Sequence, residues 1–391
     1  MRVVIVGGGV AGVSTVAALR VGGFGGDLTL VDVGEFPYDR PPLSKEYLAG
    51  TRDLEQLALQ SPRWFDERDV RLVNLTRVAA LRPGDGGVEL EDGSVLPADR
   101  VVLATGGGAA RPPVPGGDDD RVHVLRTVED ADRLRASLPP GARVLIVGAG
   151  LIGAEVASTA AGLGCEVVLA DPATPLVSAV GAELAAWLHE RHTVKGIVTL
   201  RAGVESFVPA ADGVEAHFTG GSGARVFDAV VLGVGMVPQT GLATAAGLAV
   251  ERGIVVDPRQ VTSNPAVLAV GDSAGAGHWE AAQHDGARAA ATLLGLPAPE
   301  PIAPWFWTDR HGSHVEVAGH MDRAERIIVR GSYDDPGFSV FGLRAGMVVA
   351  AAAVDDPAAV RAGRRMIDRR VRVDPARLSD PSVNLRHLLR G

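Results

Sequence analysis

Three glycines near the start of this chain, Gly7, Gly9 and Gly12, have a spacing that suits close approach of the backbone to a phosphate group. Because glycine has no Cβ and the start of a helix carries free N–H groups, such a turn can accommodate a pyrophosphate. Asp32 lies 25 positions after Gly7 and ends the next apolar run, where a carboxylate can accept hydrogen bonds from ribose hydroxyls. This combination predicts a dinucleotide site rather than a structural glycine turn.

The same device recurs at Gly148, Gly150 and Gly153, with Asp171 as the acid. A carboxylate here favours NADH, since the 2′-phosphate of NADPH would meet its negative charge and residues 172–175 contain no arginine or lysine. The chain therefore has two predicted dinucleotide sites. The glycines alone do not decide which of them holds a flavin nucleotide.

Two matching β-turn-helix-β units position these residues, and this repeat is the largest organisational feature of the sequence. Their β-branched apolar runs are typical of strands buried on both faces of a parallel sheet. The predicted elements are strand Val3–Val6, helix Ala11–Val21 and strand Leu28–Val31 in the first unit, and strand Val144–Val147, helix Ile152–Leu163 and strand Val167–Ala170 in the second.

Further strands and two linkers are predicted elsewhere. Val101–Ala104, Ala229–Leu232 and Leu268–Val270 are strand-sized apolar runs that end at glycines. Residues 112–120, with proline, glycine and an acidic run, predict a linker, and the proline-rich residues 297–304 predict another. Beyond them the pattern indicates a small α+β domain. Its predicted strands are Val315–Ala318, Ile327–Val329, Ser339–Leu343 and Met347–Ala351, followed by a helix at about Asp356–Arg370.

The composition limits the class of protein. Of 391 residues, 46% are hydrophobic and 22% are charged, which excludes a disordered or fibrous chain, and the net charge of −9 argues against a nucleic-acid binder. No stretch approaches the ~18 apolar residues of a membrane span, and Gly7–Gly9 interrupt the start too early for a signal peptide. The single cysteine, Cys165, excludes an internal disulfide pair. We therefore expect a cytoplasmic protein that does not act at a membrane.

Five segments follow one another in an informative order. They are Gly7–Gly12, Ala104–Gly106, Gly148–Gly153, Gly233–Gly235 with Pro238, and Thr262 through Asp272. Over nearly the whole chain this order resembles the oxidoreductases that join an FAD domain to an NAD(P)H domain. The resemblance implies that the first glycine motif binds FAD, that the second binds the nicotinamide dinucleotide, and that the carboxylate of Asp272 holds the flavin ribityl chain.

Four finer motifs narrow this resemblance. They are Tyr38–Lys45, Leu125–Thr127 with Asp130–Asp132, Gly153–Ala157 and Pro304–Asp309. These motifs are similar to the oxygenase-coupled ferredoxin reductases of the putidaredoxin-reductase type. The similarity implies non-covalent FAD that is reduced by hydride transfer from NADH. It also implies that single electrons pass to a [2Fe–2S] ferredoxin serving a cytochrome P450 or a ring-hydroxylating oxygenase.

Three residues are predicted to act beside the flavin. Lys45 would stabilise negative charge on the reduced ring, Glu155 would pair with the lysine, and Trp307 would contact the ring and line the route to the partner. The competing interpretations are a solvated loop lysine, a surface carboxylate and ordinary aromatic packing; Trp305 is expected in the core. The predicted cofactor-binding residues are Gly7, Gly9, Gly12, Asp32, Arg40, Lys45, Ala104, Thr105, Gly106, Arg126, Asp272, Trp307, Gly148, Gly150, Gly153, Asp171 and Gly235.

Thiol and metal chemistry are disfavoured. We expect Cys165 to be a small buried hydrophobic residue, and Ser44 stands in the first domain where peroxide- or oxygen-reducing relatives have a thiol beside the flavin. His311 and His314 lack further ligands at metal spacing, so no metal site is predicted.

Two other functions stay open at this point. One is direct reduction of a small molecule such as a quinone or oxygen, and the other is NADH sensing by a flavoprotein of the apoptosis-inducing-factor kind. A monomer and a homodimer are both compatible with the sequence. The basic residues of the last helix either steer an acidic ferredoxin or form a solvated face; they are Arg361, Arg364, Arg365, Arg369 and Arg370.

Three positions depart from the family pattern. Gln239 replaces the usual asparagine after Pro238, and Arg310 replaces the usual glutamine after Asp309. Residues 278–280 replace a segment that usually begins with arginine. We expect the last two changes to bear on the partner and not on the cofactors.

The sequence thus predicts an α/β protein with two Rossmann-like dinucleotide-binding domains, the second inserted in the first, plus a C-terminal α+β domain. The predicted FAD-binding domain comprises residues 1–110 and 240–303. The NADH-binding domain is expected at residues 111–239, and the C-terminal interface domain at residues 304–391, where it would cover the flavin.

Overall fold

The structure is a computed structural model that describes residues 1–82 and 86–389. The chain divides into two compact units. Unit 1 comprises Met1–Pro41, Arg52–Gly108 and Met236–Pro301, and unit 2 comprises Pro42–Thr51, Ala109–Gly235 and Ile302–Gly391. The three-domain division stays a prediction. In the described ranges, no helix has both the length and the apolar character needed to span a membrane.

A five-stranded parallel sheet forms the centre of unit 1. In its middle strand the side chains alternate between two apolar clusters, with Val3 and Ile5 in one and Val4 and Val6 in the other. Burial on both faces explains the continuous β-branched run, and the predicted strands are confirmed. In spatial order they are Val267–Ala269, Arg100–Leu103, Arg2–Val6, Asp27–Val31 and Val70–Val73.

Two helices pack against each other on the Val3 and Ile5 side of this sheet. Their close approach needs Gly286, because a Cβ there would lie 2.8 Å from the carbonyl oxygen of Ala11. The predicted first helix is confirmed. The helices are Val10–Val21 and Trp279–Leu294; unit 1 also contains helices Pro62–Asp66 and Gly241–Ala245, and an antiparallel sheet of Val78–Arg82, Gly87–Leu90 and Val95–Pro97.

A second five-stranded parallel sheet lies in unit 2 and repeats the strand-turn-helix-strand arrangement. The predicted repeat is therefore confirmed. In spatial order its strands are Val198–Leu200, Glu166–Ala170, Arg143–Val147, Ala229–Leu232 and Val122–His123, with helices Val128–Ala136, Leu151–Gly162, Val177–Val180 and Ala182–Val194. The smaller strands Val204–Ala210, Gly213–Phe218 and Ala224–Phe227 form an antiparallel sheet. The short strand Met236–Pro238 belongs to unit 1, and the short strand Gly107–Ala109 spans the point in the chain where unit 1 gives way to unit 2.

An antiparallel five-stranded sheet completes unit 2 and confirms the predicted α+β segment. One face, with Ala351 and Ala353, packs on helix Pro357–Asp368, and the other, with Ala350 and Ala352, packs on helix Ala182–Val194. Its strands in spatial order are Trp305–Arg310, Ser313–Gly319, Met347–Val354, Phe338–Arg344 and Arg326–Arg330, and the short helices Pro375–Ser379 and Leu385–Leu388 follow.

Candidate functional site

The three glycines of the first motif have different surroundings. Gly7 has a φ of +113°, and a Cβ on it would lie 2.2 Å from the carbonyl oxygen of Ala104. A Cβ on Gly12 would lie 2.0 Å from the carbonyl oxygen of Gly7. Around Gly9, by contrast, no heavy atom comes within 4 Å of an added Cβ. Gly9 precedes a helix that has no side-chain cap and no acid in its first turn, so the loop fits a pyrophosphate at the helix start.

Asp32 fixes this loop as well as offering a carboxylate. Its Oδ1 accepts a hydrogen bond from the backbone N–H of Gly8 at 2.9 Å. Asp32 is half-buried at the end of strand Asp27–Val31, where the sequence places it. One carboxylate thus serves the turn and remains close to where a ribose would lie.

The Ala104–Gly106 segment forms hydrogen bonds with the main-chain atoms of Gln239. The hydroxyl of Thr105 donates to the carbonyl of Gln239 at 2.7 Å, and the backbone N–H of Gln239 donates to the carbonyl of Gly106 at 2.9 Å. Because both bonds use backbone atoms of Gln239, the replacement of asparagine by glutamine leaves them intact.

The turn that carries Asp272 is held by a residue that the sequence analysis missed. The backbone N–H of Gly271 donates to Oδ2 of the buried Asp285 at 3.2 Å. Gln260 and Arg288 donate to Oδ1 of the same carboxylate, at 3.1 and 2.8 Å. Burial raises the pKa of Asp285. An acid among the alanines of helix Trp279–Leu294 is the signal that could have identified it.

Arg40 lies half-buried in a loop of unit 1 that has its own anchor. The indole N–H of Trp279 donates to Oδ1 of Asp39 at 2.7 Å, and the backbone N–H of Asp39 donates to the carbonyl of Leu57 at 2.8 Å. The loop that contains Arg40 is therefore fixed from two sides.

The second glycine motif repeats the geometry of the first within unit 2. Gly148 has a φ of +95°, and a Cβ on Gly153 would lie 1.8 Å from the carbonyl oxygen of Gly148. At Gly150, which precedes helix Leu151–Gly162, an added Cβ would again meet no atom within 4 Å. The loop therefore fits a second dinucleotide.

Asp171 occupies the place in unit 2 that Asp32 has in unit 1. Its Oδ2 accepts from the backbone N–H of Ala149 at 2.8 Å, and its Oδ1 accepts from that of Ala173 at 2.9 Å. Gly235, with a φ of +121°, follows strand Ala229–Leu232. The structure thus fixes the negative charge of Asp171 beside the glycine loop.

Arg126 is half-buried just before helix Val128–Ala136. Its backbone N–H donates to Oδ2 of Asp130 at 3.0 Å, and Thr127 forms a capping box with the same acid. The Arg126 backbone is therefore fixed by the start of this helix.

Lys45 and Glu155 meet in unit 2, as the sequence predicts. The ammonium Nζ of Lys45 lies 3.5 Å from Oε1 of Glu155 and 2.8 Å from Oδ2 of Asp309, and 5.4 Å from the centre of the Trp307 ring. Burial acts to lower the pKa of Lys45, but the charges of Glu155 and Asp309 outweigh it and raise that pKa. Lys45 therefore keeps its positive charge although its side chain is only 12% exposed.

Glu155 is buried and fully engaged, so the alternative of a surface carboxylate is wrong. Its Oε2 accepts from the hydroxyl of Ser44 at 2.5 Å. Its Oε1 accepts from the hydroxyl of Thr308 at 2.7 Å and from the backbone N–H of Asp309 at 3.2 Å. Residues 44, 155 and 308 lie far apart in the sequence, and spacing gave no signal for this group.

A second set of hydrogen bonds extends from Asp309. Its Oδ1 lies 2.5 Å from Nδ1 of His314, whose Nε2 lies 3.2 Å from Oε1 of Glu316. Glu316 in turn accepts from the indole N–H of Trp305 at 2.8 Å. Trp305 is half-buried and stacks on Trp307, with 5.1 Å between the ring centres. It therefore connects Trp307 to this set of hydrogen bonds.

Cys165 differs from the expectation of a buried residue. It is half-buried, and its thiol donates to the carbonyl of Pro139 at 3.6 Å. The reason is its place in the turn between helix Leu151–Gly162 and strand Glu166–Ala170, which leaves one side of the residue uncovered. Burial still raises the pKa of the Cys165 thiol, which disfavours the reactive thiolate.

Comparison with known proteins places these features in context. Residues 1–286 match the family described as pyridine nucleotide-disulphide oxidoreductase, and residues 305–389 match the one described as reductase C-terminal. The chain is 37% identical to a probable ferredoxin reductase of Castellaniella defragrans over 98% of both chains. It is 36% identical to the ferredoxin–NAD(+) reductase component of the anthranilate 1,2-dioxygenase system of Burkholderia cepacia, over 99% of this chain and 98% of the other.

A solved structure is also similar to this chain. The covalent putidaredoxin reductase–putidaredoxin complex contains a chain that superposes with a TM-score of 0.92. The match covers 100% of this chain and 98% of the other, at 34% sequence identity. The likeness therefore extends through both units and the C-terminal sheet.

Proposed function

Since the chain belongs to the pyridine nucleotide-disulphide oxidoreductase family, we propose that it is an FAD-dependent NADH:ferredoxin reductase. Two relatives that are 36–37% identical to this chain are named ferredoxin reductases, and each match covers at least 98% of both chains. Cys165 is the only cysteine, so the chain has no cysteine pair for disulfide reduction. We propose a [2Fe–2S] ferredoxin of a P450 or ring-hydroxylating oxygenase as the electron acceptor.

Unit 1 would hold the FAD. The open space at Gly9, before an uncapped helix start, is the observation that supports a bound pyrophosphate. Asp32 would bind the ribose and Asp272 the ribityl chain, in a turn that Asp285 fixes. Bound FAD supplies the ability to take two electrons together and to release them singly. Further contacts would come from Arg40, Ala104, Thr105 and Gly106.

Unit 2 would hold NADH at the second glycine motif. Gly150 leaves room for the pyrophosphate, and Asp171 would accept hydrogen bonds from the adenosine ribose. The carboxylate favours NADH over NADPH because it would repel a 2′-phosphate. Arg126 and Gly235 are proposed as additional contacts.

Lys45 would provide positive charge for the reduced cofactor. Its partners hold the ammonium group in one place, since Asp309 lies 2.8 Å from it and Glu155 is anchored by Ser44 and Thr308. A preorganised charge stabilises developing negative charge without reorganisation during the reaction. Trp307 would contact the cofactor beside this lysine.

The observation that carries the proposal is the presence of two loops with an open middle glycine in a chain that also holds the Lys45–Glu155 pair. The test is anaerobic titration of the purified protein with NADH and with NADPH, followed by addition of a [2Fe–2S] ferredoxin with cytochrome c as reporter. We expect NADH to bleach the flavin absorbance and cytochrome reduction to require the ferredoxin. Bleaching without ferredoxin-dependent transfer would contradict the reductase function and favour a direct acceptor.

We also propose that the reaction takes place in the cytoplasm, because it draws on NADH. Fractionation of producing cells would test this location. Recovery of the activity in a fraction other than the cytoplasmic one would contradict it.

A further inference from the structure

A cleft in unit 2 is lined by several charged side chains and by no residue of the glycine motif Gly148–Gly153. It has a volume of about 420 Å³ and lies between helix Ala182–Val194, the turn after strand Trp305–Arg310, and the loop at Tyr333. A volume of this size suits a small molecule. Trp187 and Tyr333 contribute aromatic surface, whereas Arg191, Lys195 and Arg310 contribute positive charge.

Arg310 is the unusual member of this lining. The residue is only 4% exposed, yet its Nε and Nη2 have no hydrogen-bond acceptor among the described residues. Burial lowers the pKa of Arg310 to about 10, and the charge of Glu155 acts in the other direction. The guanidinium is therefore still charged at neutral pH. A buried cation whose donors lack acceptors is costly, so a site of this kind favours an anion.

The nearby acids of the described chain give Nε and Nη2 of this guanidinium no hydrogen bond, although the charge of Glu155 attracts it. Both oxygens of Glu155 are already engaged by Ser44, Thr308 and the backbone N–H of Asp309. Asp334 and Asp335 also line the cleft, but both are exposed, and Oδ2 of Asp335 accepts from the backbone N–H of Ser332. The lining contains three cationic side chains and two carboxylates, so it keeps an excess of positive charge.

The neighbouring histidines respond to the same charge. His192 and His311 lie 2.8 Å apart through Nδ1 and Nε2. Burial first, and the charge of Arg310 second, lower the pKa of His192 to about 3 and that of His311 to about 4. Both rings are therefore neutral at pH 7 and add no competing cation. Of these three neighbouring side chains, only Arg310 is therefore positively charged and able to pair with an anion.

We propose that this cleft binds a small organic anion, whose carboxylate or phosphate group pairs with Arg310 and whose apolar body lies against Trp187 and Tyr333. Both groups carry the negative charge that attracts a guanidinium. The exposed Lys195 also attracts the anion, and the guanidinium of Arg191 lies 4.5 Å from the centre of the Trp187 ring that lines the cleft. Binding does not require the nicotinamide dinucleotide.

The test is isothermal titration calorimetry on the FAD-loaded protein with four probes. Benzoate and phenyl phosphate carry both a charge and a ring, inorganic phosphate has only the charge, and benzyl alcohol has only the ring. We expect benzoate or phenyl phosphate to bind, inorganic phosphate to bind more weakly, and benzyl alcohol not to bind. Which of the two aromatic anions binds more tightly distinguishes a carboxylate ligand from a phosphate ligand.

Two variants and one control make the result specific. Arg310→Gln should weaken binding of the aromatic anion by about tenfold or more, because it removes the charge that attracts the anion. Lys195→Gln, at an exposed position, should weaken it by about threefold. Arg323→Gln changes an exposed arginine outside the cleft lining and should leave binding unchanged.

Thermal unfolding gives a second readout. The anion should raise the Tm of the unmodified protein and of the Arg323→Gln variant, but not that of Arg310→Gln. If Arg310→Gln does not fold, Lys195→Gln still tests the site. The proposal is overturned if neither aromatic anion binds at millimolar concentration, or if they bind to Arg310→Gln or Lys195→Gln as tightly as to the unmodified protein.

Discussion

The ammonium group of Lys45 lies 2.8 Å from Oδ2 of Asp309, although the two residues are 264 positions apart in the chain. The second oxygen of Asp309 lies 2.5 Å from Nδ1 of His314, so one carboxylate serves a lysine and a histidine together. The side chain of His314 is 41% exposed. A change in solvent pH that alters the protonation of His314 therefore affects Asp309, the partner of Lys45.

The first prediction concerns His314 and pH. Burial acts to lower the pKa of His314, but its hydrogen bonds and charge interactions with Asp309 and Glu316 outweigh burial and raise that pKa. Protonated His314 thus stabilises the fold fully below the unfolded pKa, about 6.5, and less as pH rises through the raised folded pKa. We expect His314→Gln to lower Tm more at about pH 6 than at about pH 9.

The control for this experiment is His217→Gln. His217 pairs with Glu215 at 2.7 Å, and about two fifths of each side chain is exposed. We expect this variant to show little pH-dependent change in Tm, since exposed ion pairs contribute little. A Tm deficit of equal size at both pH values in His314→Gln would contradict the assigned role.

The second prediction concerns the rate of reduction. Lys45→Ala removes the cation between Glu155 and Asp309 and should slow flavin bleaching by NADH roughly a hundredfold. FAD content should stay full, because the unit 1 loops do not include this residue. Stopped-flow absorbance under nitrogen measures the rate, and the spectrum of the purified variant measures the content. An unchanged rate would show that Lys45 has no role in the reaction.

The third prediction separates folding from cofactor binding. Gly9→Val adds a side chain where no protein atom lies within 4 Å of its Cβ, so the chain should fold but lose FAD. Gly12→Val instead forces a Cβ to within 2.0 Å of the carbonyl oxygen of Gly7 and should lower Tm sharply. Circular dichroism and flavin absorbance distinguish the two. A Gly9→Val protein with a full flavin content would refute the assignment of this loop.

The fourth prediction concerns the choice between NADH and NADPH. Asp171→Asn keeps an oxygen that can accept from the N–H of Ala149 but removes the charge that repels a 2′-phosphate. The ratio of kcat/KM for NADPH to that for NADH should rise by at least about tenfold, because juxtaposed like charges disfavour binding and Asp171→Asn removes one of them. Asp120→Asn, at an exposed position, is the control. No change in the ratio for Asp171→Asn would place the specificity elsewhere.

The elements of the fold were predictable from the sequence because their signals are local. The strand Arg2–Val6 and the helix after it are indicated by a β-branched run and by the glycine spacing between them. The same local signal located Asp32 and Asp171 at strand ends. The physical reason is that both faces of each parallel sheet are buried, which leaves one long apolar run per strand.

The partners of the predicted residues were not predictable in the same way. Glu155 meets Ser44 across 111 positions and Thr308 across 153 positions, and Asp285 meets Gly271 only through the packing of a helix on a loop. Hydroxyls and carboxylates have no periodicity that records a distant partner. The resemblance supplied Lys45 and Glu155, but only the three-dimensional structure shows that Ser44 and Thr308 hold Glu155 and that His314 holds Asp309, the partner of Lys45.

Within each glycine loop, the outer and middle glycines are required for different reasons. The outer two, as at Gly7 and Gly12, are demanded by the backbone itself, which passes too close for any side chain. At the middle ones, Gly9 and Gly150, an added Cβ would meet no atom of the described residues within 4 Å apart from its chain neighbours. A chain that kept this fold but no longer bound a nucleotide would therefore still need the outer pair, whereas its middle position would be free to change. In this architecture the outer glycines are evidence of the fold, and the middle glycine is evidence of a ligand.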